Sequence, residues 1–398
     1  MITWLLQKLK GDKIIWIIVF LLALISLLAV YSSVSAQAFR LAKGNTELYL
    51  LRQMFFLIVG FIVMYVVHLV NYRVFAKVTN LLLLLCIPLL VYTLFSGREV
   101  NEASRWISVA GQSFQPSDVA KLAIIMYLAK MLSLRQKVIK DFVEGFLPGI
   151  FWICVICGLI APTNLSTALV IFTASLLVLF ISGVELKYIG LLFLIGVLGL
   201  LMLLTFAKRS TTWKSRWRSY VAQLTTDEKA LIELRKSMGK DAQFFQSFQS
   251  NVAVATGGFF GKGVGKSSQR ENLPLAFSDF VFPIIIEEYG LLGGAILISL
   301  YLLLLFRTIT VVTVSRTYGA LMAAGLAFMM VMQALIHMGV TVGLLPVTGL
   351  TLPFVSMGGT SIVFTSIALG IILSVSRDAI ERKLDNNMEV DPKNLIRT

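Results

Sequence analysis

Apolar residues run along this chain in long unbroken stretches, without the 3.6-residue spacing of a half-buried helix or the alternation of a strand. A helix crosses about 30 Å of hydrocarbon with about 20 apolar residues. Ten stretches qualify: roughly 14–35, 52–70, 76–95, 117–134, 146–162, 165–183, 187–206, 283–306, 318–342 and 356–376. The fifth and sixth are nearly continuous, and Pro162, Thr163 and Asn164 between them read as a tight re-entry turn. Helix is the required element, because lipid offers no partner to an open strand. The pattern predicts an all-α integral membrane protein forming a single polytopic domain. It has a large outer loop over 207–282, between spans seven and eight, and a tail over 377–398.

Composition closes off the alternatives. The chain is 57% apolar and only 14% charged, with a mean hydropathy of +0.85; soluble domains carry about 25% charge. The net charge of +14 fits basic residues that retain cytoplasmic loops and attract anionic lipid headgroups, so no nucleic-acid partner is expected. Lys8, Lys10, Lys13, Arg73, Lys77, Lys130, Arg135, Lys137, Lys140, Arg307, Arg316, Arg377, Arg382 and Lys383 all fall on one side if the N-terminus is cytoplasmic. The other short loops hold few basic residues (Arg40, Lys43, Arg98, Arg105), so both termini are expected in the cytoplasm. Ala36-Gln37-Ala38 resembles a signal cleavage site, but the apolar run before it is too long for a typical signal peptide. Cys86, Cys154 and Cys157 lie in apolar runs and read as small hydrophobes.

Candidate chemistry gathers at the outer side. Trp213 to Arg218 reads as an interfacial belt. Gly257 to Gly265 is no Walker loop, since Phe260 stands where the first Gly is required. It reads either as an ordinary turn or as a flexible loop whose amides, with Lys262 and Lys266, can hold a phosphate. Asp118 and Lys121 share one face of the first turn of span four and can pair, with Arg105 able to join them. Glu287 and Glu288 lie one turn into span eight, about 100° apart, so one of the two is expected to face a cavity. Asp279 sits beside Ser278 and Phe280 in an apolar run. There, lost hydration raises a carboxyl's pKa toward base strength, although a purely interfacial acid is an equal reading. His337, alone near the outer end of span nine, reads as a bond between helices.

Several blocks resemble the SEDS family (shape, elongation, division and sporulation). Residues 105–122 resemble its RWI…FQPSE..K signature, 257–265 its GGLFGKGLG segment and 273–280 its LPEAHTDF motif. Residues 287–290 resemble its EELG, and 343–361 its GLLPxTGLxLPFxSYGGSS block. The blocks occur in family order across nearly the whole chain. Asp118 stands for the usual Glu, His337 for Asn and Met357 for Tyr, and residues 161–168 lack the acid of QPDLGTA. The stretches after Gly265 and before Gly290 are closer to the division branch than to the elongation branch.

The resemblance implies a peptidoglycan glycosyltransferase that polymerises lipid II and releases undecaprenyl pyrophosphate. It maps the family's loop aspartate onto Asp279 as general base, with Arg105, Asp118, Lys121, Lys266, Arg270 and Glu288 as substrate-binding residues. No metal ligand set or DxD signature occurs and no cofactor is expected to be required, while a divalent cation such as Mg2+ bridging Asp279 and the pyrophosphate stays open. Implied partners are lipid II, membrane lipids, a class B penicillin-binding transpeptidase and other divisome proteins. The implied location is the septal region of the bacterial cytoplasmic membrane. The rival readings are a lipid II flippase without covalent chemistry, the elongation polymerase, and a secondary transporter.

Overall fold

The computed structural model describes residues 10–34, 46–96, 98–100, 103–109, 112–206, 210–224, 242–273, 276–313, 315 and 317–390. Lys8, the residues around Ala36, Arg40, Lys43, Arg316, the stretch 225–241 and the end of the tail lie outside them.

Three helices come first: α1 (Lys13–Ser33), α2 (Thr46–Leu69) and α3 (Tyr72–Ser96). A small antiparallel sheet follows, β1 (Arg98–Val100), β2 (Ala103–Val109) and β3 (Gln112–Phe114), where the sequence pattern predicts only a loop. Next come α4 (Pro116–Leu134), α5 (Leu147–Ile160, entered through a π-turn at Phe142–Phe146), α6 (Leu165–Ser182) and α7 (Leu186–Phe206). The outer region contributes α8 (Ser210–Leu224) and α9 (Ala242–Gly257), and the chain ends with α10 (Val281–Val312), α11 (Thr317–Thr341) and α12 (Thr360–Val390). Among the described residues nine helices are long and apolar enough to cross a membrane. The tenth expected span, 117–134, is α4, which carries Asp118, Lys121 and Lys130 and buries thirteen of its 19 residues. It sits against α3, α6 and α11 in the middle of the bundle, so protein rather than lipid accepts its charges.

The break between spans five and six forms as expected: Asn164 caps α6 by accepting from the Thr167 amide at 3.3 Å. At one end of the bundle, Asp12 caps α1 and pairs with Arg307 at 2.8 Å, and its amide donates to Ser376 Oγ at 2.9 Å. Arg377 donates to the Leu69 carbonyl at 3.1 Å at the same end. The start of α1, the α2–α3 turn, the end of α10 and the middle of α12 therefore meet there, which leaves the sheet and α8–α9 at the opposite end.

Two stretches of backbone depart from helix inside this bundle. In α10, Gly290 has φ 71° and ψ −174°, so the helix is broken there. The turn after α9 fills the gap: the Lys262 and Gly263 amides donate to the Glu287 and Glu288 carbonyls at 2.9 and 3.0 Å. The Leu291 and Leu292 amides donate back to Gly258 and Phe259 at 2.9 and 3.3 Å. The second stretch, 342–359 between α11 and α12, has no helix yet buries Leu350, Leu352, Phe354, Val355 and Ser356. Side chains of the surrounding helices hold its carbonyls: Ser26 donates to Val355 at 2.9 Å, and the Tyr301 hydroxyl donates to Pro353. Ser356 in turn donates to the Ser278 carbonyl at 2.6 Å.

The crossing at Gly290 leaves no room for a side chain, since a Cβ there would lie 2.1 Å from the Phe259 carbonyl oxygen. Gly290→Ala must therefore separate the two backbones and break four backbone hydrogen bonds. The expected outcome is loss of monodisperse protein on size exclusion in detergent, and a parental yield and profile would contradict it.

Candidate functional site

Asp279 lies in the turn leading into α10, half-buried, with Phe280 and Phe282 buried beside it. The Ser278 hydroxyl donates to its Oδ1 at 2.6 Å. Opposite stands the 342–359 segment. A Cβ built on Gly349 would lie 3.5 Å from Asp279 Oδ2 and 3.8 Å from Arg105 Nη1, so carboxylate and guanidinium converge on this glycine. Gly349 has φ +67°, a conformation that disfavours any side chain. Arg105 reaches the site from β2 and is steadied through Nε, which donates to the Thr163 carbonyl at 3.0 Å. Arg216, from α8, donates to the Val347 and Thr348 carbonyls at 3.1 and 3.3 Å and acts electrostatically on Asp279.

These surroundings oppose one another. Burial raises the Asp279 carboxyl above the usual aspartate range, and the Ser278 bond and the charges of Arg105 and Arg216 reduce that rise without cancelling it. The result is a poorly hydrated acid beside two cations, able to take a proton from a neutral hydroxyl while the guanidiniums stabilise developing negative charge.

The other expected residues separate into two groups. Asp118 and Lys121 form the pair read from their spacing, 2.8 Å apart and mostly buried. They line a small pocket with Gln333, Pro353, Ser361 and Thr365, and Asp118 Oδ2 is buried without a hydrogen-bond partner among the described residues. Arg105 does not join them; it turns to Asp279 and Thr163.

The Gly-rich turn departs from expectation. Glu287 and Glu288 are both buried, because the loop crosses α10 where the helix is open and reaches both carboxylates. Glu287 accepts from Lys262 Nζ at 2.6 Å, Ser268 Oγ at 2.8 Å and the Gln269 amide at 3.2 Å. Glu288 accepts from the Ser32 hydroxyl and from the Ser267 amide at 3.3 Å, and so is a fastening rather than a residue open to a cavity. The Gly261, Lys262 and Gly263 amides and the Lys262 ammonium are thereby engaged internally, which removes the phosphate-cradle reading from those groups. Lys266 stands exposed and Arg270 half-buried in the turn Gln269–Glu271.

Arg216 escaped the sequence reading because Trp213 to Arg218 has the composition of an interfacial belt. The available signal is spacing: Arg216 and Tyr220 are four apart on α8, and both donate to the 342–359 segment, Tyr220 to Leu344 at 2.8 Å. Among the described residues no three His, Cys, Asp or Glu side chains gather as a metal-binding group. A divalent cation here would thus rest on Asp279 and a ligand's own phosphates, a common arrangement for Mg2+.

Comparison with known proteins gives a consistent picture. The cell cycle protein family of FtsW, RodA and SpoVE matches residues 12–381. Stage V sporulation protein E of Bacillus subtilis is 34% identical over 93% of this chain and 98% of its own. The probable peptidoglycan glycosyltransferase FtsW of Geobacter sp. (strain M18) is 33% identical, with the same shares of the two chains covered. Among solved structures, the rod shape determining protein RodA of Thermus thermophilus superposes with a TM-score of 0.65 at 26% identity, covering 94% of this chain and 98% of that one. A chain from a peptidoglycan synthase complex that coordinates polymerization and crosslinking gives 0.68 at 28%, covering 93% and 98%.

Asp279 has a thermodynamic signature. A carboxyl whose folded pKa exceeds its unfolded value binds its proton more tightly when folded, so stability falls as pH rises through the window between the two values. Asp279→Asn cannot ionise. It is expected to melt no lower than the parent at pH 7, with any advantage closing as pH falls toward the ordinary aspartate range. A variant clearly less stable at neutral pH would show that the ionised carboxylate is held by favourable pairing instead.

Proposed function

The chain belongs to the cell cycle protein family of FtsW, RodA and SpoVE, and we propose that it is a multi-pass membrane glycosyltransferase that polymerises lipid II into peptidoglycan strands, with Asp279 as general base. The observation that carries the reading is the placement of one poorly hydrated carboxylate against Arg105 and Arg216 at the end of the bundle away from the Asp12–Arg307 pair. Glycosyl transfer from a polyprenyl pyrophosphate needs a base for the attacking 4-hydroxyl, positive charge for the departing pyrophosphate and an apolar path for the lipid tails. Asp279 supplies the first and the two guanidiniums the second. Lys121 in its pocket, with Lys266 and Arg270 on the nearby turn, offers further positive charge, and the spans offer the third.

On this reading the Asp279 end faces the cell exterior and both termini face the cytoplasm, in the bacterial inner membrane. The stretch Gly265–Pro274 and the Ile284–Gly290 run favour septal synthesis over elongation. A class B penicillin-binding transpeptidase is the proposed partner, in keeping with the synthase complex in which a similar chain was solved.

Purified chain, given lipid II with and without the transpeptidase, is expected to make glycan strands. Its rate should fall on acidification, with an apparent pKa above the usual aspartate value because the base must be ionised to work. Asp279→Asn should lower the rate about 10²–10⁴-fold with far less effect on lipid II binding. Retention of more than about a tenth of the parental rate would remove Asp279 from the role of base. A parent that makes no strands yet moves labelled lipid II across liposomes would return the flippase reading.

A further inference from the structure

Gln333 sits near the middle of α11, 7% exposed, in a span otherwise lined with methionine and alanine. A buried amide is costly unless its groups are bonded, and here both sides are. Lys121 Nζ donates to Gln333 Oε1 at 3.1 Å, and Gln333 Nε2 donates to the Thr351 carbonyl at 2.9 Å. The two neighbours determine which way the amide points. An ammonium only donates and a carbonyl only accepts, so a single orientation satisfies both contacts.

Lys121 is itself held by Asp118 at 2.8 Å. A continuous chain therefore runs from Asp118 through Lys121 and Gln333 to Thr351, two residues beyond Gly349, where Asp279 and Arg105 converge. One turn along α11, His337 adds a parallel contact, its Nδ1 2.7 Å from the Leu350 carbonyl. That contact joins helix to loop, where the sequence suggested helix to helix. Arg216 holds Val347 and Thr348 from the other side. The stretch carrying Gly349 is thus gripped on both flanks, by the Arg216 guanidinium on one and, on the other, by the Gln333 amide that the buried Asp118–Lys121 pair holds in place.

We propose that Gln333 is a positioning residue for the transfer reaction. It transmits the fixed location of the Asp118–Lys121 pair to the Thr351 carbonyl and so sets the distance between Gly349 and the Asp279 carboxylate. This rests on the reading of Asp279 as the base. The role differs from packing because the amide does not touch the Asp279 carboxylate; losing its donor lets the 349–351 stretch shift while both helices stay in place. Small displacements of a catalytic constellation act on turnover far more than on ground-state binding.

The test uses the full chain in detergent with lipid II, comparing parent, Asp279→Asn, Gln333→Glu and Gln333→Met. Gln333→Glu keeps the shape and the contact with Lys121 but removes the donor to Thr351. Its kcat is expected to fall about 10–100-fold, with KM and melting temperature close to parental. Should that variant misfold, Gln333→Met, unbranched and easily accommodated in a span, is judged by the same split. Parental kcat in a folded variant, or a loss confined to KM, overturns the positioning role while an inactive Asp279→Asn leaves the base assignment standing. A parent without polymerase activity, or a fully active Asp279→Asn, overturns the assignment of the base and the positioning role with it.

Discussion

Backbone that is not helical cannot lie in hydrocarbon unless the protein itself satisfies its amides and carbonyls. Much of this structure answers that constraint. The segment 342–359 passes through the bundle without helix, and its carbonyls are taken by Ser26, Arg216, Tyr301, Gln333 and His337, drawn from four different helices. Each donor is buried or half-buried, and each would be a liability in its own span without this segment to bond. The polar residues of the helices and the irregular residues of the loop stabilise one another.

The same logic accounts for the open turn in α10. Breaking the helix at Gly290 frees two carbonyls and two amides, and the Gly-rich turn after α9 supplies the complementary set. The Glu287 and Glu288 side chains then secure that turn from beneath. The break lies about three helical turns after Asp279, and 342–359 meets the turn that carries Asp279 through Ser356–Ser278 and through the Met357 amide, 3.0 Å from the Phe277 carbonyl. Asp279 is therefore held between two satisfied irregular segments, with Arg105 and Arg216 added from the sheet and from α8. The surroundings are rigid enough to keep a desolvated acid close to cations without letting solvent quench the field between them.

Much of the architecture was legible from apolar run lengths, because a span needs little beyond length and hydropathy. The turn at Pro162–Asn164 followed from residue type and Asp118–Lys121 as a pair from spacing. The sheet at 98–114 was not legible: its strands are three to seven residues long, too short to show a period. Glu287 and Glu288 were misjudged because helical geometry was assumed through Gly290, and only the broken backbone lets one loop reach both. The partners of Asp279 were hidden for another reason. Arg105, Arg216 and Gly349 are distant in sequence and meet only through the fold, while Arg216 sat in a composition that reads as a membrane belt.

The central claim, that the buried part of segment 342–359 from Leu350 to Met357 is held by hydrogen bonds rather than being a mobile connection, is tested most directly by hydrogen exchange of the parent in detergent. The amides of Leu352, Val355, Ser356 and Met357 are bonded to Ser356 Oγ at 2.8 Å, to the Leu352 carbonyl at 3.2 and 2.9 Å, and to Phe277 at 3.0 Å. Peptides covering them should exchange as slowly as those from the middle of α11. Exchange complete at the earliest labelling time, while α11 stays protected, would contradict the account.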